Sequence, residues 1–240
     1  IVGILNGTTN YILSQMTETG VNYANALADA QKQGFAEADP TNDVCGFDAA
    51  RKLAILSSIG FRANVTFDDV LVEGIEKIDK SDIQYAKDMG YTIKLLTVAL
   101  RQENGIALNV YPAFLPDNHP LSSVKGAYNA IYVTGNIVDD VMFYGRGAGA
   151  LPTASAVMGD VISTAQHILN GSTGTGMIMT DTKRIPFYSS LKLQNSYYFR
   201  LDVDDVTGVL SQIAAAFAEN DISICEVVQK RKTKGLAELV

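Results

Sequence analysis

Cysteine is nearly absent from this chain, and its scarcity excludes a good deal. Cys45 and Cys225 are the only two in 240 residues. Their separation builds no disulfide framework and has no metal-ligand spacing, so neither a stapled secreted fold nor a metal site is expected, and a reducing cytoplasmic setting suits the chain. Histidine is as scarce. His119 lies in the loop Asn118-His119-Pro120, and His167 lies on a long apolar helix as a surface or packing residue. No apolar run reaches the roughly 18–20 residues of a membrane span. No charged segment leads into a signal-like apolar stretch, so no membrane partner is expected. The longest basic run, Lys230-Arg231-Lys232, reads as a solvated loop, and the net charge of -7 argues against a nucleic-acid partner. There is no internal repeat and no low-complexity tract. An initiator methionine is also missing, and the chain closes on the strand-like run Leu236 to Val240. Both ends are therefore expected to be cuts through a longer protein.

What is present is a core. Apolar residues make up 47% of the chain, enough for one large or two modest domains. Thr8 to Met16, Tyr23 to Gln33 and Phe47 to Ile59 carry apolar residues at helical spacing. An acidic loop, Phe35 to Asp43, separates the second from the third. Tyr91 to Arg101 and Ile106 to Phe114 flank Asn104-Gly105, a strong hairpin signal. Ala130 to Ile137 and Val141 to Tyr144 read as further strands. After the glycine-rich stretch 145–149, a helix is expected from Pro152 to Leu169. Asn170 to Gly176 reads as a loop and Asp181 to Ser190 as a linker, which places a domain boundary near 190. The tail restarts as strand (Ser196 to Val203), helix (Gly208 to Glu219) and two strands (Ile222 to Gln229, Leu236 to Val240). The expected fold is α+β. A mixed or antiparallel sheet with helices on one face occupies 1–190, and part of a ferredoxin-like unit occupies 191–240.

The chemistry concentrates in Gly34-Phe-Ala-Glu-Ala-Asp-Pro-Thr-Asn-Asp-Val-Cys-Gly-Phe-Asp-Ala-Ala-Arg-Lys52. Asp48 and Lys52 are four apart on a predicted helix and share one face. A lysine held by a carboxylate and partly desolvated can shuttle a proton. Glu37 and Asp43, from the preceding loop, could converge on a small cationic group such as a substrate ammonium. The bland alternatives stay open on spacing alone. An Asp–Lys pair at this spacing is usually a solvated salt bridge, Asp39-Pro40 is usually a turn, and the acids lack the spacing of a calcium loop.

That run resembles the signature of homoserine dehydrogenases. Gly3-Ile-Leu-Asn-Gly-Thr-Thr-Asn-Tyr11 resembles the opening of that family's catalytic domain, and Gly145-Arg-Gly-Ala-Gly-Ala-Leu-Pro-Thr-Ala-Ser-Ala-Val157 resembles its third conserved block. The three occur in family order. Phe35 departs from the pattern, because many members have tyrosine there. The family interconverts L-aspartate 4-semialdehyde and L-homoserine with NADPH or NADH, within threonine and methionine biosynthesis. The resemblance implies Lys52 as proton donor, Asp48 as its orienting partner, and Glu37, Asp43 and Thr8 as substrate contacts. It implies that Gly149 and Gly34 border the nicotinamide. It also implies a preceding nucleotide-binding domain, whose Gly-x-Gly-x-x-Gly fingerprint is not in this chain. The choice between NAD and NADP would lie there, and so would further substrate and cation ligands, leaving this piece inactive alone. The helix matching Pro152 to Leu169 packs back onto that domain in the family, so its Val157, Val161 and Ile168 face is expected to be exposed here or covered by a neighbouring chain. The family also implies a homodimer or higher homo-oligomer, formed through the sheet of the middle region.

Tyr197-Tyr-Phe-Arg-Leu-Asp-Val-Asp-Asp-Val-Thr-Gly208 and the helix after it resemble the start of an ACT domain. Such domains bind small amino acids between paired copies, and threonine is the effector this implies. A plain dimerisation unit is the simpler reading. The rival for the whole chain is an amino-acid-binding or dimerisation module without catalysis of its own.

Overall fold

The computed structural model describes residues 1–172, 185–188, 194–231 and 235–240. The chain divides into two compact units, Ile1–Leu193 and Gln194–Val240. The first opens with a short strand, β1 (Val2–Ile4), that runs directly into a helix, α1 (Gly7–Thr19). Asn6 makes that turn: its side-chain oxygen accepts from the Thr9 amide at 2.8 Å and caps the helix. Helix α2 (Tyr23–Lys32) starts from a second asparagine cap, Asn22. The acidic stretch then runs open until one helical turn, α3 (Thr41–Val44), and leads into α4 (Phe47–Phe61).

A two-residue strand, β2 (Leu71–Val72), precedes helix α5 (Lys80–Asp88). The hydrophobic pattern alone did not predict α5. Its signature is a reciprocal cap, with Asp79 accepting from the Asp82 amide and Asp82 accepting from the Asp79 amide. The hairpin expected around Asn104-Gly105 is present as β3 (Tyr91–Gln102) and β4 (Gly105–Pro116), in unbroken register from Gln102–Gly105 to Tyr91–Pro116. A second hairpin, β5 (Tyr128–Gly135) and β6 (Asp139–Arg146), completes the sheet. The strand order is β2-β4-β3-β1-β5-β6, antiparallel throughout except for the short parallel pairing of β2 with β4.

The two faces of β3 sort its side chains by parity, as a pleated strand must. Ile93, Leu95 and Ala99 join Ile12, Leu13, Met16, Leu53 and Ile83 from the helices in the main core. Leu96 and Val98 join Ile4, Leu121 and Val124 on the opposite face, under a 3-10 turn at Pro120–Ser123. Gly74 fixes how closely the chain passes the α3–α4 junction. A Cβ there would collide with the Val44 carbonyl, which already accepts from the Ile75 amide at 2.8 Å. Gly74→Ala is expected to cost about 1–3 kcal/mol. Urea denaturation reads this directly, and an unshifted midpoint would show that the junction yields without cost.

Helix α6 (Ala150–Leu169) buries no residue within its unit. Val157, Val161 and Ile168 are 55%, 52% and 69% exposed, so the face expected to be open is open. The glycine-rich stretch is not wholly a loop, because Gly145 and Arg146 pair with Asn129 and Tyr128 as the end of β6. Residues 173–176 of the expected loop, and 181–184, 189 and 190 of the expected linker, lie outside the described residues. Of that linker, Phe187 makes a bridge to Ile106 at the start of β4.

The second unit runs β7 (Leu201–Asp204), α7 (Val209–Glu219), β8 (Gln229–Arg231) and β9 (Leu236–Leu239). The strands lie in the order β7-β9-β8, all antiparallel. Two expected strands are shorter than their alternation suggested. Residues 196–200 and 222–227 have no strand opposite them among the described residues, and alternation forms no ladder without a partner. The basic run is corrected too: Lys230 and Arg231 belong to β8, where Lys230 pairs opposite Glu238.

Candidate functional site

The acidic segment wraps a polar cleft of about 420 Å³, walled by Gly34, Phe35, Glu37, Asp43, Asp48 and Arg51. An apolar cleft of about 380 Å³ opens along α4 at Ala54, Ile55, Ile59 and Phe67, but it holds no group suited to proton transfer. The polar cleft, by contrast, is lined by four carboxylates.

Two of its lining residues, Asp43 and Asp48, belong to a hydrogen-bonded chain across three elements. Lys52 Nζ lies 2.6 Å from Asp48 Oδ2, one helical turn back on α4. The same Nζ donates to the Leu5 carbonyl at 3.2 Å. An ammonium has three N–H donors, so two are engaged and one is left for a ligand. Asn6 Nδ2 donates to Asp48 Oδ2 at 2.9 Å and to Asp43 Oδ1 at 2.7 Å. The lysine side chain is 49% exposed and that of Asp48 31%, so the pair adds little to stability. What the pair fixes is the position of Nζ.

The other predicted residues fall around this chain. Glu37 is exposed on the cleft wall, and its carbonyl accepts from Gln31 Nε2 at 3.0 Å. Thr8 is buried in the first turn of α1, and its hydroxyl donates to the Phe35 carbonyl at 2.6 Å. It thus ties the helix to the acidic loop. The Phe35 ring packs on Tyr11, with centroids 4.6 Å apart. The Tyr11 hydroxyl donates to Asp29 at 2.6 Å, and that bond pushes it up to about 12, so it stays protonated. Asp39 is a turn residue, as its spacing allowed. The Thr41 hydroxyl and amide both donate to it and hold it below the usual carboxylate range. Cys45 donates to Glu76 at 3.0 Å, and this bond pushes the thiol up to about 11, so it is not a nucleophile at neutral pH.

Gly34 reaches the cleft and Gly149 does not line it. Gly149 caps α6 at a φ of 117°, with no side chain bonded to the helix amides. Two residues earlier, Gly147 packs so tightly on Asn129 that a Cβ would clash with its amide. Asn129 Nδ2 in turn donates to the Ile4 carbonyl at 3.0 Å, next to Leu5 and Asn6. The glycine-rich segment thus approaches the β1–α1 turn from one side while the acidic segment approaches it from the other.

Asn6 and the Leu5 carbonyl are site members that the sequence reading missed. Asn6 carried a visible signal, a helix-capping asparagine directly before an apolar-periodic run. A second missed residue lies deeper. Lys94, in the middle of β3, is 1% exposed and donates to Asn10 Oδ1 at 2.9 Å and to the Val124 carbonyl at 2.5 Å. Asn10 Nδ2 bonds to the carbonyls of Val124, Gly126 and Tyr128, which secures α1 one turn beyond its cap.

Comparison with known proteins identifies the family. The family model described as homoserine dehydrogenase matches residues 1–162. A homoserine dehydrogenase of Mycobacterium tuberculosis is 47% identical over 235 residues, covering 96% of this chain and 53% of that protein. One from Bacillus subtilis is 42% identical over 229 residues, covering 95% of this chain and 53% of its own. The crystal structure of a homoserine dehydrogenase from Thiobacillus denitrificans superposes with a TM-score of 0.91 at 38% identity, covering 99% of this chain and 55% of that one. A hyperthermophilic archaeal homoserine dehydrogenase mutant in complex with NADPH aligns at a TM-score of 0.54 and 27% identity, over 69% of this chain and 46% of its own. The chain spans about half the length of these relatives. With its matched region running from β1 through most of α6, the chain belongs to the homoserine dehydrogenase family.

Proposed function

We propose that this chain supplies the substrate-binding and catalytic half of an enzyme that interconverts L-aspartate 4-semialdehyde and L-homoserine. The observation that carries the reading is Lys52 Nζ, held with one donor to spare by the Leu5 carbonyl and by Asp48, which itself lines the acid-walled cleft. A bound reduced nicotinamide, NADH or NADPH, would supply the hydride. As the aldehyde carbon is reduced, charge builds on its oxygen, and a nearby ammonium stabilises that charge and gives up a proton. Lys52 is the group in place to do this, and Asp48 holds it there. Solvent at the half-exposed side chain then reprotonates the amine. Glu37 and Asp43 offer carboxylates to the substrate ammonium. Thr8 holds the acidic loop against α1.

Two glycines would suit close approach of a nicotinamide, Gly34 on the cleft wall and Gly149 at the start of α6. Gly34 and Gly149, with φ of 76° and 117°, leave the backbone bare, and no acidic residue stands in the first turn of α6. The open face of α6 fits a nucleotide-binding domain as its cover. The second unit, with its Asp205–Gly208 turn and β7-β9-β8 order, fits part of an ACT-type regulatory domain with threonine as effector. A homo-oligomer paired through the sheet agrees with this assignment. No helix among the described residues is long and apolar enough to cross a membrane.

The direct test is homoserine-dependent reduction of NAD or NADP by a full-length protein containing this chain. A substrate panel of other short hydroxy acids runs beside it. Homoserine should be preferred, and Glu37→Gln should raise its KM about tenfold, the weight of one charge-assisted contact, with a smaller change in kcat. Preference for a hydroxy acid without an amino group would overturn the assignment of the acids.

A further inference from the structure

We infer that Asn6 is a positioning residue that sets the spacing of Asp43 and Asp48 and, through Asp48, the aim of Lys52. The inference rests on the catalytic reading above and goes beyond it, because none of the roles given there falls to Asn6.

The side chain is 5% exposed and every polar atom is used. Its oxygen accepts from the Thr9 amide at 2.8 Å and the Thr9 hydroxyl at 3.0 Å. Its two N–H groups go one each to Asp43 Oδ1 and Asp48 Oδ2. These carboxylates belong to different helices and repel each other. A neutral amide between them supplies a donor to each without adding charge and holds them at a fixed separation. Asp48 uses the same oxygen, Oδ2, for Asn6 and for Lys52, so a shift of the asparagine passes directly to Nζ. The backbone adds a second link, because the Leu5 carbonyl that holds Nζ directly precedes Asn6. Neither link is strong, but reactive geometry is demanding: a misplacement of about 1 Å can cost on the order of 100-fold in rate.

Two substitutions isolate this role from helix capping. Asn6→Asp keeps the size and the capping oxygen but turns the shared donor into a third carboxylate. Asn6→Ser keeps a good cap but is too short to reach both acids. In a full-length protein containing this chain, kcat/KM for homoserine should fall about 100-fold in Asn6→Asp. The KM for homoserine should rise in both variants, and the KM for the nicotinamide cofactor should stay unchanged. Simple loss of folded protein would lower kcat and move neither KM. Homoserine KM and kcat within twofold of the parent in a folded variant would overturn the inference, provided that Lys52→Ala, measured alongside, has lost activity. An active Lys52→Ala would instead show that the catalytic reading had failed. A third measurement needs no substitution. Both side-chain amide protons of Asn6 in this chain should be protected from solvent exchange, and rapid exchange of both would overturn the bridging geometry.

Discussion

Replacing Lys52 by alanine in a full-length protein containing this chain should lower kcat for homoserine oxidation by about 1,000-fold, the usual weight of a positioned proton-transfer group. The fold should survive. The side chain is 49% exposed, and its pair with Asp48 has the one-turn spacing that contributes only a few tenths of a kcal/mol. Thermal midpoints of parent and variant should therefore agree within about 2 °C. Lys52→Arg should fail to restore the rate. A guanidinium can make the same hydrogen bonds to Asp48 and the Leu5 carbonyl, but it does not release its proton. A small primary amine added to Lys52→Ala should recover part of the rate by occupying the vacated site. Turnover near the parent level in the alanine variant would reduce the Asp48–Lys52 pair to a surface salt bridge.

The second large effect is on stability and concerns Lys94. Its ammonium is enclosed by β3, α1 and the turn at Val124, with only neutral oxygens in hydrogen-bond reach. Burial, reinforced by Lys125 and opposed by Glu18, pushes it down to about 8 from an ordinary 10.5. Glu18 and Lys125 themselves pair at 3.0 Å on the surface nearby. The sign follows from proton counting. Between pH 8 and 10.5 the unfolded chain still binds the proton that the folded chain has released, so folding gains stability as pH rises. Lys94→Met removes this dependence while keeping most of the volume. The unfolding free energy of Lys94→Met minus that of the parent should thus fall by about 3 kcal/mol between pH 7 and 10.5. Groups titrating alike in both proteins cancel in the difference. A flat difference would mean that the folded chain hydrates this lysine.

Local chemistry was the part most legible in the sequence. The Asn104-Gly105 turn announced a hairpin whose register then followed from residue count, and the four-residue step from Asp48 to Lys52 announced a shared helix face. What stayed hidden depends on distance along the chain. Asn6 reads as a helix cap, and nothing local says that its other end serves acids 37 and 42 residues away. Thr8 was expected at the site, but its hydroxyl is turned to the Phe35 carbonyl, a partner that only the packing of α1 on the loop defines. Lys94 could have been flagged, because a lysine between Ile93 and Leu95 in a run of apolar residues must either break the strand or find buried acceptors. Strand β8 failed for the opposite reason. Residues 222–228 alternate well enough, but pairing with β9 reaches only Val228 opposite Val240.

The place of β1 has a consequence for how the chain is made. Within this chain the strand is synthesised before either of its neighbours, yet in the sheet it lies between β3 and β5, with Val2 opposite both Val98 and Tyr132. At ribosomal rates of about 5–20 residues per second, roughly 7–25 s pass before its second neighbour exists. During that interval α1 and α4 can coil locally, but the strand leading into Asn6 has at most one of its two ladders, that with β3, to join. Residues 1–52 therefore wait for a sheet whose last neighbour of β1 begins only at Tyr128. Nascent chains halted before residue 128 should be the species that chaperones hold and proteases cut, and release of β5 should mark the point at which Lys52 first acquires a fixed position.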